Sequence, residues 1–239
     1  TRSRFLGVLF VLALVAVGLA GVAGTASAAS LYWSGAGTWD DGTAFNWSAS
    51  QGGVLGVYTD ANWIGGSDAR FEGTAGAVTV SGTINSVGAI YFDANDYTLG
   101  SGTITLTGAG GNITTIAGNN TINSVIDGTV GLTKLGTGIL TLGGVNTYTG
   151  ATTVKAGTLA LGAAGTIANS TTITVGDAGS SGTVLDLTSK TSGFSILSGQ
   201  TLKGIGTVNI GAGLTLTVAT GGRWAPGNSI GTNAVTGNL

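Results

Sequence analysis

Short runs in which threonine alternates with an aliphatic residue constrain the fold of this chain most strongly. Each run is four or five residues long, and most are followed by glycine or asparagine within a few residues. The runs are Ala77–Val80, Thr103–Thr107, Ile139–Leu142, Thr158–Leu161, Thr172–Val175, Val184–Leu187 and Leu214–Val218. A period of two places successive side chains on opposite sides of a strand. Since no segment after residue 30 has the 3.6-residue period of an amphipathic helix, the sequence predicts an all-β protein.

The lengths of these runs favour a parallel β-helix, a solenoid of stacked coils, over a sandwich or a barrel. A sandwich would also give short strands with regular turns. Here, however, the outward positions are mostly threonine, and the 46 glycines suit corners that need a positive φ. At about 20 residues a coil, residues 77–239 predict about eight coils and a rod of roughly 40 Å.

The composition excludes several classes of function. The chain has no cysteine and no histidine, which removes thiol chemistry, Ser-His-Asp catalysis, disulfides and most zinc sites. Only eight residues are Lys or Arg, and the pI is near 4.7, so nucleic acid is not an expected partner. We predict no metal site and no cofactor.

Residues 1–28 have the pattern of a secretory signal peptide, which is helical before cleavage. Arg2 and Arg4 precede an apolar run over residues 5–23, and Ala26-Ser27-Ala28 fits the specificity of signal peptidase. The alternative is an uncleaved membrane anchor, because the apolar run nearly reaches spanning length. We expect membrane contact only through this segment or through a C-terminal anchor beyond Leu239.

Residues 29–76 are rich in aromatic side chains, and the β-helix region is predicted over residues 77–239. Four of the five tryptophans fall in the aromatic segment, at Trp33, Trp39, Trp47 and Trp63. We interpret the segment as an N-terminal cap, because the first coil of a solenoid would otherwise expose its core. The alternative is that these four rings contact a glycan, since exposed aromatic faces stack on sugars.

One stretch, residues 132–159, resembles the autotransporter-associated β-strand repeat. Ala151 and Lys155 are mild departures from its pattern, and a second stretch, 225–232, resembles the Ala-Pro-Gly-Asn-Ser-Pro-Gly-Thr motif of the same proteins, with Ile230 in place of the second proline. The residues that match the repeat are Leu132, Lys134, Gly136, Gly138, Leu140, Leu142, Asn146, Thr147, Tyr148, Thr149, Gly150, Thr152, Thr153, Val154, Gly157, Thr158 and Leu159.

This resemblance implies a right-handed parallel β-helix that is exported and displayed at the bacterial surface, associated with the outer membrane or extracellular. It implies no catalytic residues. From the residues themselves we expect Tyr148 to be a corner aromatic packed between coils. We expect Lys134 and Lys155 to be solvated or paired with Asp127.

The few acidic residues give weak signals for chemistry. Asp93-Ala94-Asn95-Asp96 could bind calcium weakly, but the same pattern is ordinary in turns, which we favour. A polysaccharide-degrading β-helix would need clustered carboxylates with a basic partner. Asp127 and Asp186 each have one lysine nearby in sequence and no third group, and Glu72 is the only glutamate.

We therefore predict a non-enzymatic exported protein, a spacer, passenger or adhesin-like rod. Its expected partners are copies of itself or surface glycans. Two alternatives remain open, namely a carbohydrate-binding module that uses the tryptophan cluster and a polysaccharide-degrading β-helix enzyme.

Overall fold

The computed structural model describes residues 30–40, 47, 65–180, 182–227 and 234–236. All regular structure in this part of the chain is β, and the strands wind into a parallel β-solenoid of about seven turns. None of the described residues belongs to a helix with the length and hydropathy to cross a membrane. The predicted signal peptide lies outside the described residues, as does much of the predicted cap.

Each turn passes through three faces in the same order. Face 1 contains β1 (Ser30–Trp33), β3 (Asp68–Phe71), β6 (Ile90–Phe92), β9 (Asn112–Thr115), β12 (Leu132–Leu135), β14 (Thr152–Val154), β16 (Thr172–Val175), β19 (Thr201–Gly204) and β22 (Arg223–Pro226). Face 2 contains β2 (Gly37–Trp39), β4 (Ala77–Val80), β7 (Thr98–Gly100), β10 (Asn119–Ile122), β13 (Ile139–Leu142), β15 (Thr158–Leu161), β17 (Val184–Leu187), β20 (Thr207–Ile210) and β23 (Ala234–Thr236).

Face 3 is less regular. It contains β5 (Thr83–Val87), β8 (Thr103–Leu106) and β11 (Val125–Asp127), and further along the chain β18 (Phe194–Ile196) and β21 (Leu216–Val218). Between these two groups an isolated parallel bridge joins Val145 to Thr166. The third face thus continues through the repeat coils with little strand pairing.

All the pairings between these strands are parallel, and they fix the length of each coil. Lys134 is in register with Val154, 20 residues later, and Ile90 is in register with Ile113, 23 residues later. One coil is longer, since Val175 pairs with Gly204. The predictions of an all-β chain and of a parallel solenoid are confirmed, and the alternating runs predicted as strands are strands here, two of them shortened by one or two residues.

The core is a narrow column of aliphatic side chains that point inward from the faces. On face 2 Leu140, Leu159, Leu185 and Val208 are in register on four consecutive coils, and all four are fully buried. Burying a leucine side chain contributes about 1.5–3 kcal/mol. Because each residue contacts its equivalents in the coils before and after it, the core holds neighbouring coils together.

The outward positions carry columns of threonine. Thr133, Thr153 and Thr174 are in register on face 1, and Thr98, Thr121 and Thr141 are in register on face 2. Neighbouring parallel strands lie about 4.8 Å apart, so these hydroxyls form closely spaced rows. The outer surface of the described coils is therefore polar and largely uncharged.

Candidate functional site

The predicted repeat forms one complete coil and the first two strands of the next. Residues 132–142 supply β12 and β13, and residues 152–161 supply β14 and β15 in register beneath them. The segment between them contains the bridge residue Val145 and then Asn146 to Gly150. The repeat motif therefore corresponds to a unit of coil stacking.

Most of the large matched residues of the repeat point into the core. The buried members are Leu132, Lys134, Gly138, Leu140, Leu142, Asn146, Tyr148, Thr152, Val154 and Leu159. Thr147 and Thr149 are exposed between them. The motif thus records the interior of the coil more than its outer surface.

Lys134 is buried, and the prediction that it is solvated or paired with Asp127 is wrong. Its position on β12 faces inward, in register with Ile113 and Val154. The Nζ atom donates to the carbonyl oxygens of Leu135 at 2.8 Å and Gly136 at 2.7 Å, and to that of Ala156 at 3.3 Å on the next coil. Burial lowers the pKa of Lys134 to about 8.

Tyr148 is packed inside the repeat, as predicted for an aromatic between coils. Its hydroxyl lies 2.7 Å from the hydroxyl of Thr152, which lies 2.9 Å from the hydroxyl of Ser170 on the following coil. The Ser170 hydroxyl donates to the carbonyl oxygen of Gly150 at 2.7 Å. This chain of buried hydroxyls satisfies polar groups that the apolar core could not.

Asn146 connects three coils. Its Oδ1 atom accepts from the backbone N–H of Ile126, one coil earlier, at 2.9 Å. Its Nδ2 atom donates to the carbonyl oxygen of Thr166, one coil later, at 3.0 Å. Because face 3 has little strand pairing here, the Asn146 amide replaces the backbone hydrogen bonds that a strand would supply.

Two glycines of the repeat occupy corners that a side chain would strain. Gly136 has φ near 75° and Gly157 near 62°, in the left-handed region that glycine adopts at little cost. A Cβ atom at either position would also collide with backbone of the preceding coil. The Gly-x-Gly spacing of the motif thus reflects corner geometry.

The tryptophans predicted as glycan contacts are buried where they are described. Trp33, Trp39 and Trp47 are at most 2% exposed. Their rings meet edge to face, with centroids 5.2 Å apart for Trp33–Trp47 and for Trp39–Trp47, and all three contact Phe71. This burial does not fit a glycan contact, because no ring presents a face to solvent. Trp63 lies outside the described residues.

The acidic group at Asp93 and Asp96 is engaged in structure. Asp93 forms an ion pair with Arg70, with Oδ2 2.7 Å from the Arg70 Nη2 atom, and Asp96 has φ near 66° in a turn. Asp177 accepts from the Ser180 hydroxyl at 2.7 Å, again within a turn. No group of three or more potential metal-ligating side chains occurs among the residues that the structure describes.

The two aspartates considered for catalysis have separate partners. Asp127 accepts from the Thr147 hydroxyl at 2.9 Å, and Asp186 accepts from the backbone N–H of Thr188 at 2.9 Å. Lys190, the expected partner of Asp186, instead donates to the carbonyl oxygens of Ala163 and Gly165. Burial lowers the pKa of Lys190. The structure does not bring these groups together.

Sequence reasoning did not single out one surface feature of face 1. Asp68, Tyr91 and Asn112 line a depression of about 430 Å³ on the outer side of three consecutive coils. The signal was present in the sequence, since each residue lies at an outward position of an alternating run. It was hidden because the register between coils had first to be known.

These contacts define a solenoid repeat protein whose coils are locked by buried polar side chains. Residues 132–161 match the model of the passenger-associated-transport-repeat family. The match begins at β12 and ends with β15, the same two-coil unit that the structure delimits. The chain is therefore a repeat protein of the autotransporter-associated class.

A comparison with characterised proteins gives a partial relative. The chain is 40% identical over 89 residues to a Brucella suis biovar 1 (strain 1330) protein named adhesin BmaC autotransporter. The matched segment is 37% of this chain and only 2% of the length of that protein. No solved structure matches the chain.

Proposed function

We propose that this chain is a non-enzymatic part of an exported bacterial surface protein and that it takes part in adhesion. The observation that carries the proposal is the passenger-associated-transport repeat at residues 132–161, which continues in register into the coils on both sides. The similarity to a protein named as an adhesin supports the same conclusion. Cell-surface or secreted localisation follows from both.

The outer faces supply a physical basis for adhesion. The threonine columns, such as Thr98, Thr121 and Thr141, present rows of hydroxyls that can donate and accept hydrogen bonds. A row of this kind on one molecule can bond to a row on another, or to the hydroxyls of a glycan. Autoaggregation of displaying cells is the simplest outcome of such contacts.

The finer parts of the proposal come from the sequence. The solenoid is proposed to wind in the right-handed sense, with residues 1–28 as its signal peptide and residues 29–76 as an N-terminal cap. The absence of catalysis is proposed because Asp127 and Asp186 each bond to separate structural partners. An acid–base pair acting on a glycosidic bond requires two carboxylates at a set separation.

The adhesive role can be tested by surface display. The chain would be placed between a signal peptide and the outer-membrane translocator of an unrelated protein, in a host without adhesins of its own. We expect cells that display it to settle faster in static culture and to bind more strongly to glycan-coated surfaces than cells that display an inert passenger of equal length. Equal settling and equal binding, at equal display measured with an antibody, would contradict the proposal.

The enzymatic alternative has a separate test. The purified chain would be incubated with a panel of neutral and acidic polysaccharides, and new reducing ends and unsaturated products would be measured. We expect neither to form. Product that disappears in Asp127→Asn or Asp186→Asn, with Asp177→Asn as the control, would show that the chain is an enzyme.

A further inference from the structure

The depression on face 1 is formed by one short side chain between two longer polar ones. Asp68, Ala89 and Asn112 each precede one of the residues Ala69, Ile90 and Ile113, which are in register on three consecutive coils. Asp68 and Asn112 are therefore two coil spacings apart, roughly 10 Å. The small Ala89 leaves the space between them open, and we call this depression the Tyr91 groove.

The floor of the groove is nearly free of side chains. Gly66, Gly88 and Gly108 line it at the same corner of three coils. A Cβ atom at Gly88 would lie 2.6 Å from Oδ1 of Asp68 and 2.9 Å from the carbonyl oxygen of Gly66. The Asp68 carboxylate therefore leans over the glycine floor, and its oxygen atoms border the open space.

The side wall of the groove is the ring of Tyr91. The Arg70 guanidinium lies 4.4 Å from the centroid of this ring, and its Nε atom donates to Oδ2 of Asp93 at 2.9 Å. Arg70 does not line the groove. The cation thus holds the ring in place from outside the groove and leaves the groove side of the ring available.

The groove combines three kinds of group that together suit a sugar. An aromatic face packs against the C–H surface of a pyranose ring, and a carboxylate and an amide bond to its hydroxyls. Burial raises the pKa of Asp68, the sign of a carboxylate that has lost part of its hydration and gains from new hydroxyl donors. A volume of about 430 Å³ is within the range of small-ligand sites.

The charges at the groove select among sugars. Arg70 is already neutralised by Asp93, and Asp68 adds a negative charge at the groove itself. A uronic or sialic acid would place a second carboxylate against Asp68 without a free cation among the lining residues. A neutral hexose avoids this repulsion. A peptide strand is not favoured, because the groove lies on the outer side of a sheet face, where backbone hydrogen bonds are already used between coils.

We propose that the Tyr91 groove binds a neutral hexose unit of a surface glycan, with Tyr91 stacked on the ring and with Asp68 and Asn112 bonded to its hydroxyls. The inference rests on the proposed adhesive function and gives it a ligand class and a place. The axis of the groove runs across consecutive coils. Successive sugar units would therefore extend along the solenoid.

The test is a binding experiment on the purified full chain. The probes are mannotetraose, cellotetraose and galactotetraose as neutral sugars, and tetragalacturonate as the acidic one, titrated to millimolar concentration by NMR. We expect at least one neutral probe to bind and tetragalacturonate to bind at least tenfold more weakly. Tyr91→Ala and Asp68→Asn should each weaken the neutral probe by roughly tenfold, the effect of losing one good polar or stacking contact.

Matched controls separate binding from folding. Thr114→Ala changes the outward neighbour of Tyr91 on the next coil, outside the groove, and should bind as the parent does. Asp68→Asn keeps the shape of the side chain, so it remains informative if Tyr91→Ala fails to fold. No binding of any neutral probe, binding unaffected by both groove variants, or acidic binding equal to neutral binding would each overturn the proposal.

Displayed cells distinguish this inference from the proposed function. If cells with Tyr91→Ala settle and adhere as the parent does, the groove proposal fails and the adhesive function stands. If the parent neither settles nor adheres, the adhesive function fails whatever the purified chain binds.

Discussion

The ammonium group of Lys134 lies 3.3 Å from the carbonyl oxygen of Ala156 on the next coil, on the buried side of the solenoid wall. A lysine therefore serves as a cross-coil hydrogen-bond donor in the middle of the repeat. The position is demanding, because a buried charge is stable only where it is well bonded. Here three carbonyl oxygens accept from the one ammonium group.

The burial of Lys134 predicts a pH dependence of stability. Its pKa falls from 10.5 to about 8 in the folded chain, so between these values the unfolded chain binds more protons. The free energy of unfolding should then rise from pH 8 to pH 9.5, with a limiting slope of about 1.4 kcal/mol per pH unit for this one group. Urea unfolding at half-unit steps of pH measures it.

Lys134→Met should remove this part of the slope. Lys190→Met is the matched control, because burial also lowers the pKa of Lys190 but the variant leaves Lys134 in place. Above pH 10 the raised pKa of the buried Tyr148 acts in the opposite direction, so measurements stop below that value. Parallel pH profiles for the parent and Lys134→Met would show that Lys134 titrates normally.

The buried hydroxyl chain predicts coupled losses of stability. Tyr148→Phe and Thr152→Val should each lower the free energy of unfolding by about 1–2 kcal/mol, because each leaves a buried polar partner without its bond. The double variant should lose less than the sum, since both changes remove the same bond. Thr153→Val, at the adjacent outward position, is the control and should change stability by under about 0.5 kcal/mol. Strict additivity would argue against the bond.

Asn146 should be among the most sensitive positions of the repeat. Asn146→Ala leaves the Ile126 N–H and the Thr166 carbonyl oxygen unsatisfied on two different coils, and we expect a loss of about 2–4 kcal/mol in urea unfolding. Asn146→Asp keeps the acceptor but turns a carboxylate oxygen toward the Thr166 carbonyl, and should be no more stable. Asn169→Ala removes one exposed, longer bond and is the comparison. Equal effects at the two asparagines would refute the bridging role.

The aliphatic core column predicts a contrast within one pair of facing coils. Leu159→Ala opens a cavity between Leu140 and Leu185 and should lower the free energy of unfolding by about 2–5 kcal/mol. Ile139→Ala removes a side chain that is 37% exposed on the outer side of the neighbouring strand, and should lower it by less than about 1 kcal/mol. Thermal unfolding followed by circular dichroism ranks the two, and a reversed order would place the core on the wrong side.

The alternation of residues predicted most of the fold, and one error shows why it is to be trusted over residue type. In Leu132-Thr133-Lys134-Leu135 the period of two places Leu132 and Lys134 on the same side, and the structure buries both. The expectation that a lysine must be solvated overruled that pattern and gave the wrong side. The carbonyl oxygens that make burial possible belong partly to the next coil, and the sequence alone does not reveal them.

The surface features were less predictable for a different reason. The tryptophans invited a functional interpretation because aromatic rings bind sugars, yet Leu31 and Trp33 share one parity and both are buried. The Tyr91 groove depends instead on which residues meet across coils. Coil lengths vary from 20 to 29 residues, so a fixed repeat length cannot align Asp68 with Asn112.

The long coil between Val175 and Gly204 has a consequence for how such a protein can change. Its additional residues lie at the corners, while β17 still pairs in register with β15 and β20 on either side. Strand register and corner length are therefore separable traits in this architecture. A lineage can lengthen a corner to alter what it displays to its surroundings while every inward residue of the neighbouring coils stays the same.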